Sequence, residues 1–205
     1  MEHQARSYGD WLENRLAVIH PLVTLPGLDQ RASLDHFVTG YIEMAPRMLQ
    51  WLHEWASVSG LAPLFAEFLD TSVSYFTTPR LPLIQHTGME GLLVKAYQAQ
   101  RLLEELLDHN PGLARQTNCF NEITHANLLA HHLIGEPFGN ELDQDCEQTL
   151  PSVVDLPKLQ GVNLARHLNQ STLAPIEALR QGWLSLLQDN HIAFGIRTQI
   201  PGLTP

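Results

Sequence analysis

SLDHFVTGYIEMA, residues 33–45, is the stretch whose reading decides the fold. Leu34, Phe37, Val38, Tyr41, Ile42 and Ala45 fall at i, i+3, i+4, i+7, i+8 and i+11, which gathers them on one side of an α-helix. A half-buried strand would alternate apolar and polar residues, and this stretch does not. Pro46 kinks the helix or starts a new one, because it has no N–H to donate and its ring clashes with the preceding turn. Met48, Leu49, Leu52 and Trp55 then carry an apolar face up to Gly60.

The same period recurs on both sides. Upstream, Ser7 and Asp10 form an S-x-x-D capping box for a helix with Trp11, Leu12, Leu16 and Ile19 on its apolar stripe, stopped at Pro21. Downstream, a third helix starts near Pro63 and presents Leu61, Leu64, Phe65, Phe68, Leu69, Val73 and Phe76. TTPRLPL (77–83) reads as a loop. Thr87 and Glu90 offer a second capping box, for a long helix ending near His109 with Leu92, Leu93, Ala96, Leu103, Leu106 and Leu107 on its core face. A fifth helix covers 120–135, with Gly135 and Pro137 ordered for a C-terminal stop.

Residues 136–157, acidic and broken by prolines, read as a connector; two shorter helices follow near 158–169 and 174–190. The last residues, 191–205, read as a short strand or an extended arm. The expected fold is therefore all-α: a bundle of six to eight helices with a short extended C-terminal arm. Its expected organisation is a main bundle over 1–135, the acidic connector over 136–157, and C-terminal helices and arm over 158–205. The alternative is one core shared across the connector.

Charge narrows the function classes. With 12 basic and 22 acidic residues among 205, the formal net charge is −10, which repels phosphate backbones and anionic membranes. No apolar run approaches the roughly 18 residues a bilayer span requires. The amino-terminal MEHQARSYGDW lacks the apolar core of a signal peptide, so a cytoplasmic, bacterial-type protein is expected. Cys119 and Cys146 accordingly read as reduced thiols.

Chemistry concentrates in FNEITHANLLAHHLIGEPFGNELD, residues 120–143. On a helix, Ile123, Ala126, Leu129, Ala130, Leu133 and Ile134 take the buried face. Glu122, His125 and His132 form a ridge at its edge, and His131 faces solvent. Glu122-x-x-His125 is the carboxylate–imidazole pair that di-iron bundles supply from each of two helices. Such a site would bind Fe, Mn or Zn. A second E-x-x-H should then exist, and no other glutamate in the chain has histidine at i+3. Glu104 and Glu105 read as surface residues, Glu105 pairing with Arg101 and His109 at i, i+4 spacing.

Asp143-Gln144-Asp145-Cys146-Glu147 begins like a calcium loop, but Gln148 and Val154 stand where glycine and glutamate are required. No Lys or Arg occurs between Arg115 and Lys158, so this side should attract a cationic ligand or a basic partner patch. Trp51, Trp55, Phe68 and Tyr75, with Phe65 and Phe76 beside them, line either plain core or a pocket for a small apolar ligand. Buried hydroxyls near Ser72 read as bonding back to helix carbonyls. No nucleophile motif or phosphate loop is present.

These observations favour a non-enzymatic helical protein that binds a partner or a small apolar ligand, with no cofactor. It is expected to self-associate or to meet a basic protein partner, and to leave nucleic acid and membrane alone. The alternative is a metal-dependent bundle enzyme using Glu122, His125 and His132.

Overall fold

The computed structural model describes residues 7–19, 21, 23–25, 29–78, 87–112, 114, 120–161 and 170–194. Among them stand eight helices: α1 (Tyr8–Ala17), α2 (Gln30–Val58), α3 (Ala62–Thr77), α4 (Gly88–Asp108), α5 (Phe120–Ile134), α6 (Phe138–Val153), α7 (Leu156–Gly161) and α8 (Gln170–Gln188). Two short strands, β1 (Val23–Thr24) and β2 (Ala193–Phe194), pair antiparallel with Val23 opposite Phe194. The fold is an all-α bundle. No helix among the described residues is long and apolar enough to cross a membrane.

Local chemistry accounts for the ends. The Ser7 hydroxyl accepts from the Asp10 amide at 3.2 Å while the Asp10 carboxylate accepts from the Ser7 amide at 3.3 Å, so both halves of the first capping box form. At α4, Thr87 is the N-cap residue but makes no side-chain cap bond. Asp29 caps α2, accepting from the Ala32 amide at 2.9 Å. That helix also continues through Pro46 without ending there. The proline ring lies on the exposed side, where the carbonyl it leaves unpaired can reach water, and Met44, Ala45, Met48 and Leu49 hold both halves against the core. Gly60, at φ +69°, makes the left-handed turn from α2 into α3.

α4 is the axis of the molecule, with α2, α3, α5 and α6 all packed on it. α8 lies across α2 and α5. A Cβ on Gly40 would collide with Leu186, and one on Gly182 with Met44, so these glycines let α2 and α8 approach closely. One cluster of buried side chains runs from Trp11 to Ile192, so α8 shares the interior of the helices before it.

The main departure from the sequence reading is at 136–157. The stretch read as a connector is largely the 16-residue helix α6. Pro137 is its N-cap residue and Pro151 falls in its last turn, on the exposed side, so neither proline breaks the helical ladder where it is buried. Leu142, Cys146, Leu150 and Val153 form its buried stripe. Since α6 covers part of α4, residues expected at the surface are enclosed: Glu104 is 7% and Glu105 8% exposed. Leu92, expected on the core face, is exposed instead.

Candidate functional site

The aromatic candidates belong to the buried interior. Trp51, Trp55, Phe68 and Tyr75 are all buried. Trp51 and Trp55 stack at 5.7 Å between ring centres, and Trp55 tilts against Phe65 at 5.4 Å. Ser72 donates to the Phe68 carbonyl at 2.8 Å, a local back-bond that satisfies the hydroxyl without a ligand.

The three residues proposed as metal ligands each meet a different neighbour. Glu122 takes Arg180 of α8 at 3.1 Å, His125 stacks on Phe194 at 5.1 Å, and His132 Nε2 lies 3.1 Å from the Val18 carbonyl. Three elements thus pack along the ridge and draw its side chains apart. A guanidinium beside Glu122 also opposes a metal cation there. Among the described residues no group of three or more His, Cys, Asp or Glu could hold a metal ion. Cys119 lies outside the described residues; Cys146 is a free, buried thiol whose pKa burial pushes up. Glu122→Ala is therefore expected to move the urea midpoint only slightly. Stoichiometric metal in the purified protein, lost in that variant, would overturn this assignment.

Polar side chains do converge elsewhere, where α4, α5 and α6 meet. Tyr97, Arg101 and Glu104 follow one side of α4 at i, i+4 and i+7; Thr124, Asn127, Leu128 and His131 face them from α5; Asp143 closes the group from α6. Together they line an open cleft of about 230 Å³.

Asp143 is the hub. The Tyr97 hydroxyl donates to its Oδ1, Arg101 Nε lies 3.4 Å from the same oxygen, and His131 Nδ1 lies 3.1 Å from Oδ2. Arg101 also reaches Glu105 at 2.9 Å and Glu104 at 3.8 Å. From Glu104 the network continues inward. Asn127 Nδ2 donates to Glu104 at 2.6 Å, and Tyr41 of α2 donates to Asn127 Oδ1 at 2.5 Å. Gln100 donates to the Tyr41 carbonyl at 2.9 Å and accepts from Trp183 of α8 at 2.6 Å. Polar contacts thus tie α4 to α2, α5, α6 and α8.

Electrostatics follow the contacts. Burial alone would raise the Asp143 pKa, but the bonds from His131 and Tyr97 and the nearby Arg101 outweigh it and hold it below the ordinary carboxylate value. The hydrogen bond to Asp143 raises His131 above the ordinary imidazole value, against burial that lowers it. Burial, then the Asp143 bond, keeps the Tyr97 phenol protonated.

These shifts set the pH response with opposite signs. A depressed Asp143 contributes stability above its unfolded pKa of 3.8, lost as pH falls through the lower folded value. A raised His131 contributes below its unfolded pKa of 6.5, lost as pH rises through the higher folded value. The pair is fullest between these two unfolded values. The stability advantage of the wild type over His131→Gln should therefore shrink from about pH 5.5 to about pH 8.5, as urea unfolding at both would measure. Comparing the two proteins cancels the effect of overall charge.

Gly139 of α6 makes room for His131: a Cβ there would lie 2.9 Å from His131 Nε2 and 3.0 Å from Cε1. Gly139→Ala is expected to leave the helix intact, since alanine favours it, while pushing the imidazole off Asp143. The His131 pKa, followed by its Cε1–H signal in NMR, should then fall back towards the ordinary value.

Sequence reading assigned Arg101, Glu104 and His131 to solvent and gave Tyr97 and Asn127 no role. The signal it lacked was α6. The stripe Leu142, Cys146, Leu150, Val153 stands at i, i+4, i+8 and i+11 and marks a helix with one buried face. Comparison of the chain with protein-family models, curated proteins and solved structures gave no match.

Proposed function

We propose that this chain is a non-enzymatic binding protein that holds a small polar molecule in the cleft between α4, α5 and α6. The observation that carries the reading is the way the cleft's reactive groups are engaged. His131 gives Nδ1 to Asp143 and sets its Nε2 side against Gly139, and Glu104 is tied to Asn127. In the cleft, His131 Nδ1 and the Asp143 carboxylate are thus committed to each other, to Tyr97 and to Arg101 rather than to a serine or cysteine nucleophile, the pairing that acyl or group transfer uses. A rigid, mixed-polarity wall favours recognition. The small apolar ligand expected from the aromatic cluster is replaced in this reading by a polar one, because the aromatic rings fill their own space. The acidic balance of the chain supports a reading without nucleic acid.

A screen of small polar fragments by thermal shift, with hits placed by NMR, tests the proposal. Hits should perturb Thr124, Leu128 and His131, and Asp143→Asn should abolish them. Hits that map elsewhere, or that survive the substitution unchanged, would refute it.

A further inference from the structure

Resting on that reading of the cleft, we propose that its ligand is a small neutral carboxamide whose carbonyl oxygen accepts from Arg101 and Thr124. Two donors at the cleft are left unmatched by the protein. Arg101 Nη1 and Thr124 Oγ1 are both shielded from water, and neither has a hydrogen-bond partner among the described residues. The cause is plain at Arg101. Glu105 holds its Nη2 corner at 2.9 Å and Asp143 its Nε corner at 3.4 Å, which fixes the plane of the guanidinium. At the third corner Glu104 Oε2 stays 3.8 Å from Nη1, beyond hydrogen-bond reach. The same oxygen takes the Asn127 amide at 2.6 Å, so Asn127 draws it away from the guanidinium. A buried donor without an acceptor carries a desolvation penalty, larger for a charged group, and an acceptor brought in from outside removes it. Threonine keeps two side-chain rotamers in a helix, so the Thr124 hydroxyl can turn towards an oxygen lodged against Arg101.

Charge sets the class of acceptor. Arg101 is the one permanent cation lining the cleft, and it already faces three carboxylates. The balance is negative whether or not His131 is protonated, so an anionic acceptor is repelled. An organic cation fares no better. Glu104 and Asp143 are engaged by Arg101, Asn127, His131 and Tyr97, and the unmatched Nη1 is itself a positive donor. A neutral carbonyl oxygen offers two lone pairs without a charge, enough for both donors. An amide oxygen, polarised by its nitrogen, is a stronger acceptor than that of a ketone or an ester.

Leu128, one turn after Thr124 on α5, supplies the apolar part of the site. It is 48% exposed at the cleft, where the alkyl chain of an amide would cover it. At about 230 Å³ the space lies below the usual range for drug-sized ligands, which limits the chain to a few carbons.

The test is a methyl NMR titration of the full chain at neutral pH with three probes of similar shape: n-butyramide, n-butyrate and n-butylammonium. n-Butyramide is expected to shift the Leu128 methyl signals saturably and to bind more tightly than either ion. Thr124→Val removes the hydroxyl and keeps the shape of the side chain. It should weaken n-butyramide about fivefold, the loss of one neutral hydrogen bond. Thr124→Ser, which keeps the hydroxyl, should bind n-butyramide as the wild type does. Because an unmatched buried hydroxyl destabilises the free protein, Thr124→Val should unfold at no lower a temperature than the wild type. A clear drop in that temperature would show the hydroxyl to be partnered already, and would overturn the amide assignment. So would n-butyramide binding that ignores Thr124→Val, or binding of either ion at least as tight; each leaves the cleft reading standing. Leu128 signals that stay still with all three probes would overturn both.

Discussion

Trp55→Ala is expected to lower the free energy of unfolding by about 3 to 5 kcal/mol. Trp55 is 1% exposed and heads the fully buried side chains in size. It lies flat against Trp51 and tilted against Phe65, so truncation removes aromatic contacts from both α2 and α3 and leaves a void that neighbouring backbones cannot close. Guanidinium unfolding followed by circular dichroism measures this: the midpoint should drop while the slope is unchanged. A loss under about 1 kcal/mol would mean that the site tolerates empty space, and would return the aromatic cluster to consideration as a pocket.

Asn127→Ala is expected to cost about 3 kcal/mol for a different reason. Only a small side chain is lost, but two buried partners are stranded. The Tyr41 hydroxyl loses its acceptor, and the Glu104 carboxylate loses its 2.6 Å donor. A buried group left unpaired costs more than the bond was worth, and a charged one most of all. Tyr41→Phe/Asn127→Ala should therefore lose less than the sum of the two single variants, because one stranded group is removed along with its partner. Additive losses in the double-mutant cycle would show that the two side chains do not depend on each other.

The same network explains what sequence could and could not reveal. The stripe from Leu34 to Ala45 is legible because periodicity depends only on near neighbours, and it gave the class of fold correctly. The Ser7–Asp10 box is legible for the same reason, being complete within four residues. Glu104 and Glu105 were unreadable from α4 alone. A carboxylate beside an apolar stripe looks solvent-facing until another helix covers it, and the covering helix was hidden by the prolines at 137 and 151 and by its acidic residues. Once α6 is taken for a connector, Tyr97, Arg101 and His131 lose their common partner, Asp143, and the cleft disappears with it. Glu122, His125 and His132 show the opposite case. Their spacing along α5 suggested a shared target, while Arg180, Phe194 and Val18 approach from three separate parts of the chain.

The pairing of Val23 with Phe194 joins positions that stand far apart along the chain through two residues on each side. Closing so long a loop costs chain entropy, and a ladder this short returns little to offset it. Helices form from contacts between near neighbours and assemble sooner. The strand pair is thus expected to fasten after the bundle and to open more readily than its helices. Each opening lifts Phe194 away from the ring of His125. The far flank of α5 therefore meets water on a shorter clock than the core it covers.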